Sequence, residues 1–272
     1  MAGFSREVAR RIFAEELKNS NYSFREGEDQ HQYAPQYLLT PTGAKCNRVF
    51  MVGALTEKDD IGGDTEYWKG RVVDPTGSIL IYAGQYQPEA AQILANIEAP
   101  AFVAVVGKPN LYQTEDGNII ISLRAESIQK VDEETRNQWI MDTARRTQER
   151  LQALKEAGPV SISGDFSTAN KVASSPVQDA KRALEHYHTD IEHYRGMLIR
   201  ALSSLRSDLA SGGKESKIKT EAKIGAEIEQ VLDEEEKPAA KKSKPKKSGS
   251  LSGWPEQDNA DEVETFNLGK KS

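Results

Sequence analysis

Within five consecutive residues, Tyr67-Trp68-Lys69-Gly70-Arg71, the chain sets two aromatic rings beside two cations. Aromatic rings stack on nucleobases at about 1 to 3 kcal/mol each with little regard to base sequence, and Lys and Arg follow the phosphates. The same pairing recurs at Arg48 with Phe50 and at Lys108, Tyr112 and Arg124, and Tyr82 followed by Tyr86 adds two further rings. These eleven residues are the candidate nucleic-acid-binding set. Other chemistries lack their residues. There is no P-loop, no GxGxxG after a strand, no GxSxG and no HExxH. The single Cys46 has no His close in sequence and reads as a small buried filler. His186 and His193, seven apart on one helical face, lack the Cys or third ligand that would complete a zinc site. A non-enzymatic binder with no catalytic residue, metal or cofactor is expected.

Charge limits how such a binder works. The chain of 272 residues is 37% hydrophobic and 29% charged, with a formal net charge of -6. That balance argues against a basic coat, so binding must come from a local patch. No stretch suits a membrane span, and Arg6, Glu7, Arg10 and Arg11 stand where a signal peptide would need an apolar core. A cytoplasmic, nucleoid-associated location is expected.

The elements that would position the candidates are read from periodicity. Ser5 to Lys18 has helical spacing with Ser5 as its cap, and residues 20–46 form an irregular lead-in with a short strand at Tyr37 to Thr40. Arg48 to Thr56 alternates as a strand, followed by a polar loop from Glu57 to Thr65. Tyr67 to Val73 and Ser78 to Ala83 form a hairpin across Asp74-Pro75-Thr76-Gly77. Pro88 to Ile97 is a helix, Ala101 to Val106 a fourth strand, Lys108 to Gly117 a loop and Asn118 to Ser127 a fifth strand. Five strands with a helix between the third and fourth is the OB-fold order. The expected fold is therefore a mainly β OB-fold barrel with an N-terminal helix, a C-terminal helical extension and a disordered tail. Such a barrel binds across strands two and three, between the loops that join strands one and two and strands four and five. Alternation puts Tyr67, Lys69 and Arg71 on one face and Trp68 on the other, where it fits the core as well as the groove. Residues 45–131 hold eight Lys and Arg against eleven Asp and Glu. Six of those acids, Glu57, Asp59, Asp60, Asp64, Glu115 and Asp116, flank the groove, which points to modest affinity.

Beyond the barrel the pattern is helical. Ile140, Ala144, Thr147, Leu151 and Leu154 form one seam; Val177, Ala180, Leu184, Tyr187, Ile191, Tyr194, Leu198, Ala201, Leu205 and Asp208 form a longer one. Such stripes require cover, either from each other by an antiparallel return or from another subunit. The resulting division is a lead-in over 1–46, the barrel over 47–131, an assembly helix over 132–157 and a linker over 158–175. A long amphipathic helix over 176–210 and a low-complexity charged tail over 211–272 complete it.

The runs Asn47-Arg48-Val49-Phe50-Met51-Val52-Gly53, Glu66 to Gly77 and Tyr82 to Ala90, with Pro41 to Lys45 and Arg6 to Ala9, resemble the archaeal OB-fold proteins associated with replication protein A. The resemblance covers roughly residues 4–157. It implies a small subunit that binds single-stranded DNA in replication, recombination and repair, beside a larger replication protein A subunit. The alternative is an assembly subunit that holds the larger one without strong DNA contact of its own. It also implies that residues 132–157 join an inter-subunit helical bundle. Self-association through 133–157 and 176–209 is the other partner expected. No recruitment winged helix is evident, and the acidic segment around Trp254 and Phe266 is the candidate substitute for meeting replication and repair partners.

Residues 211–272 combine charge blocks with few apolar side chains, so amide hydrogen exchange is expected to show no protection there. Slow exchange across the lysine run Lys237 to Lys247 would contradict that composition argument.

Overall fold

The computed structural model describes residues 7–25, 35–158 and 176–211. The tail, nearly all of the linker and the Ser5 cap lie outside the described residues. Barrel strands β5 (Val49–Asp60), β6 (Tyr67–Asp74) and β7 (Gly77–Gly84) are followed by helix α2 (Pro88–Asn96), then β8 (Ala101–Gln113) and β9 (Ile119–Lys130). Before them come β1 (Arg10–Arg11), α1 (Ala14–Lys18), β2 (Tyr22–Arg25), β3 (Gln36–Leu39) and β4 (Lys45–Cys46). After them come α3 (Glu133–Ala157), α4 (Pro176–Tyr187) and α5 (Ile191–Ser211).

The sheet runs β1-β5-β6-β7-β9-β8 and closes by pairing β5 with β8. Every barrel contact is antiparallel except β7 with β9. This closed five-stranded barrel, with α2 between its third and fourth strands, is an OB-fold. Alternation turns Met51, Leu55, Val72, Ile79, Ile81, Val103, Val105, Leu123 and Ile128 inward, where all are buried. Full burial of such a side chain stabilises by roughly 1.5 to 3 kcal/mol.

Three expectations are corrected. The N-terminal helix is only Ala14–Lys18, because the chain before it is extended: Arg10 and Arg11 pair in parallel with Val49 and Phe50, and the Arg10 N–H donates to the Arg48 carbonyl at 2.9 Å. The first turn of α1 is capped from the barrel instead. Asp74 accepts from Ala14 N at 2.7 Å and the Thr76 hydroxyl accepts from Glu15 N at 3.1 Å. Burial pushes the Asp74 carboxyl up, against the lowering effect of its bonds from Thr76, Ala14 and Gly77. Second, Lys108 to Gln113 and Glu57 to Asp60, read as loops, extend β8 and β5. Third, the single helix over 176–210 is two. His188 takes a positive φ of 49°, the Thr189 hydroxyl donates to the Pro41 carbonyl at 2.6 Å, and Asp190 restarts a helix by accepting from His193 N at 3.1 Å. His186 and His193 consequently fall on different helices.

The lead-in also holds more than one strand: β2, β3 and β4 form a small antiparallel sheet. The Tyr187 hydroxyl stitches α4 to it, accepting from the backbone N–H of Asn21 and Tyr22 and donating to the Leu39 carbonyl at 2.6 Å. The two helical seams cover each other within the chain. Ile140, Ala144, Leu151 and Leu154 of α3 and Leu198, Ala201 and Leu205 of α5 are buried, and Arg136 near the start of α3 pairs with Asp208 near the end of α5 at 3.0 Å, so the two helices run antiparallel. Val177 alone of the longer seam is exposed as a large apolar residue. Among the described residues, no helix is long and apolar enough to cross a membrane.

Where α1, the β3–β4 turn and α3 meet, the Glu16 carboxylate is fully buried. It accepts from Arg150 at 2.9 and 3.0 Å, from the Thr40 hydroxyl at 2.9 Å and from the Thr42 hydroxyl at 2.5 Å. Arg150 also donates to Thr42 and Thr147. A buried charge is tolerated only when paired and bonded in this way. Burial, with Glu16 nearby, pushes the Cys46 thiol up to about 12, which leaves the filler role and no thiolate at neutral pH.

Arg150→Met leaves the Glu16 charge without its cation and is expected to cost about 3 to 5 kcal/mol in urea unfolding, while Glu16→Gln combined with Arg150→Met costs less than the two single changes together. A cost below about 1 kcal/mol for Arg150→Met would show that the network does not hold these elements.

Candidate nucleic-acid interface

The ladder register lines up one residue from each barrel strand. Asp59 of β5 lies opposite Lys69 of β6, Lys69 opposite Tyr82 of β7, Tyr82 beside Arg124 of β9, and Arg124 opposite Lys108 of β8. Register partners share a face, and the neighbours one step along, Gly70, Ile81, Leu123 and Gly107, are buried. The row is therefore on the outward face. One register pair away lie Glu57 opposite Arg71 and Arg71 opposite Leu80. Further along the β8–β9 hairpin, Tyr112 pairs with Ile120 on the same parity as Lys108 and Arg124, and both are exposed.

Tyr67 and Tyr82 form the aromatic centre. Tyr67 lies opposite Gly84, diagonal to Tyr82; the two rings are 5.9 Å apart and within 19° of parallel. Gly84 makes the arrangement possible, because a Cβ there would sit 2.4 Å from Tyr67 Cδ2. Tyr67 is 42% exposed. Tyr86, in the turn before α2, is 84% exposed.

The cations divide into two kinds. Lys69 pairs with Asp59 at 3.1 Å and Arg71 with Glu57 at 3.0 Å, each across the β5–β6 ladder. Lys108 and Arg124 make no ion pair among the described residues. Exposed pairs of this sort contribute at most about 1 kcal/mol and exchange readily.

Three candidates fall outside this face. Trp68 has inward parity and is half-buried at the barrel edge; its indole donates to Glu66 at 3.1 Å, and the Lys58 ammonium lies 5.3 Å from its ring centre. Arg48 is held by Glu126, its Nη2 donating to Oε1 at 3.0 Å, and that hydrogen bond holds its guanidinium pKa above the ordinary value. Phe50 is half-buried with the Arg11 guanidinium 5.2 Å from its ring centre, and its carbonyl accepts from the Trp139 indole at 3.2 Å. The structure brings together Tyr67, Lys69, Arg71, Tyr82, Lys108, Tyr112 and Arg124 on one outward face. The sequence places Glu57 and Asp59 in a loop flanking the groove, whereas both belong to β5 and stand on this face opposite Arg71 and Lys69. The irregularity between Leu55 and Glu57 shifts the phase of β5, so these two odd-numbered residues face outward although Met51 and Leu55 face the core, and unbroken period-two alternation would have turned them inward.

Among the described residues, no group of three His, Cys, Asp or Glu converges on a metal position. The His186 imidazole meets Asn21 Oδ1 and that of His193 meets Glu15 Oε1, each at 2.8 Å.

No family model and no curated protein matches the sequence. Several solved structures are similar to part of it. The second single-stranded DNA-binding protein of Mycobacterium smegmatis is 18% identical, with 31% of this chain and 86% of that one covered, at a TM-score of 0.28. The mitochondrial single-stranded DNA-binding protein Rim1 of S. cerevisiae is 18% identical over 32% of this chain and 94% of its own, at 0.26. The yeast Stn1 and Ten1 structure is 11% identical over 39% of this chain and 55% of that one, at 0.30.

Gly84→Val drives a side chain into the space of the Tyr67 ring. Proton NMR is expected to lose the Tyr67–Tyr82 ring-to-ring contacts while the cross-strand contacts of β6 with β7 persist. Retention of the ring contacts in the folded variant would show that Gly84 does not set the pair.

Proposed function

We propose that the chain is a non-enzymatic single-stranded DNA-binding protein that holds its strand on the outward face of β6, β7, β9 and β8. The observation that carries the reading is the near-parallel Tyr67–Tyr82 pair flanked in register by Arg124 and Lys108. Rings of this kind stack only on bases that have left a duplex, and adjacent cations without protein partners neutralise phosphates. Tyr112 and Tyr86 extend the surface at two edges. The finer reading is a subunit of an archaeal replication protein A complex acting in replication, recombination and repair, with a larger subunit as partner and the acidic tail meeting other proteins.

An assembly subunit without strong DNA contact is the second reading, and the neutralised state of Lys69 and Arg71 favours it. The mutual cover of the α3 and α5 seams weighs the other way, since neither stripe then needs a second subunit.

Tyr67→Ala with Tyr82→Ala is expected to weaken binding to an oligothymidine strand by more than about tenfold, measured by fluorescence anisotropy at fixed low salt. A folded double variant that binds as the parent does would reject the site. Parent protein that binds no single strand at any salt would reject the function.

A further inference from the structure

Resting on the single-strand reading, we propose that Glu57 and Asp59 are specificity-determining residues: they accept hydrogen bonds from the amino groups of bases stacked at Tyr67 and Tyr82, so that cytosine is preferred to thymine. The outward row is electrostatically graded. At the β5 edge stand two carboxylates, each engaged with a β6 cation through one oxygen. Glu57 Oε1 and Asp59 Oδ1 accept no hydrogen bond among the described residues. At the β8–β9 edge stand Lys108 and Arg124, which make no ion pair among the described residues. The stacked tyrosines lie between the two edges.

A strand crossing that gradient has one favourable placement. Its phosphates go to Arg124 and Lys108, because at the β5 edge they would face two carboxylates and compete for cations already held. Bases laid on the rings then point their edges toward β5. An ionised carboxylate only accepts hydrogen bonds. At position 4 cytosine presents the N4 amino donor and thymine the O4 acceptor, so a carboxylate facing that position gains a bond with cytosine and meets a second acceptor in thymine, whose one donor is the neighbouring N3–H. The two pyrimidines have one ring each and differ chiefly at that edge, which makes them the discriminating pair.

The test uses the full chain with oligodeoxycytidine and oligothymidine of equal length, titrated by anisotropy above neutral pH. Cytosine is expected to bind at least about fivefold tighter, from a discrimination of one good base-edge contact. Glu57→Gln with Asp59→Asn should bring the ratio toward one and, by releasing Lys69 and Arg71 to phosphates, steepen the salt dependence of thymidine binding by about 1.4 in log–log slope. A parent ratio near one, or a preference that persists unchanged in the folded double variant, overturns the proposal. Absence of binding to either strand instead rejects the single-strand reading on which it rests.

Discussion

The buried Glu16–Arg150 pair is the constraint on which the helical half of the molecule depends. Glu16 belongs to a five-residue helix, too short to stand by its own hydrogen bonds, and Arg150 belongs to the longest of the described helices. Between them, Thr40 and Thr42 bring in the β3–β4 turn. Elements far apart in sequence thus converge on one charge that tolerates no vacancy among its partners. Trp139 then carries the same helix onto the barrel, with its ring edge-on to Phe13 and its indole bonded to the Phe50 carbonyl. The position of the barrel against α3 follows from contacts centred on α3.

Much of the barrel was legible because closed β-structure writes a simple code. Strand cores at Val49–Leu55, Tyr67–Val73 and Ser78–Ala83 alternate cleanly, Asp74-Pro75-Thr76-Gly77 marks a turn, and Pro88 opens the helix. What escaped depended on partners distant in sequence. Val8, Ile12 and Phe13 have helical spacing, yet β1 is drawn straight by the edge of β5, a contact no local pattern announces. The break at His188 was hidden because the apolar seam continues through it in phase; the local polar run His188-Thr189-Asp190 is the only mark, and its meaning comes from the Pro41 carbonyl.

The candidate site divides along the same line. Period two separated Tyr67, Lys69 and Arg71 from Trp68 correctly as to face, and left open which face mattered for Trp68 until the barrel closed. Arg48 and Phe50 were grouped with the others by residue type, but Glu126 and Arg11 engage them on another part of the surface. The sequence puts six acids in the loops beside the groove but not in the ladder itself. The placement of Glu57 and Asp59 opposite Arg71 and Lys69 is a fact of register, and register is what turns a weak net charge into a gradient across one face.

Asp74 serves two masters: it closes the β6–β7 turn through Thr76 and Gly77, and it caps α1 through Ala14. The strands bearing Tyr67 and Tyr82 are therefore clamped at the end remote from those rings, and a helix anchored by Glu16 holds the clamp. Flexing the hairpin would uncap α1 and strain the buried ion pair behind it. A ligand at the proposed site would meet a hairpin already clamped on folding, which would leave most of the ordering cost of the complex to the ligand.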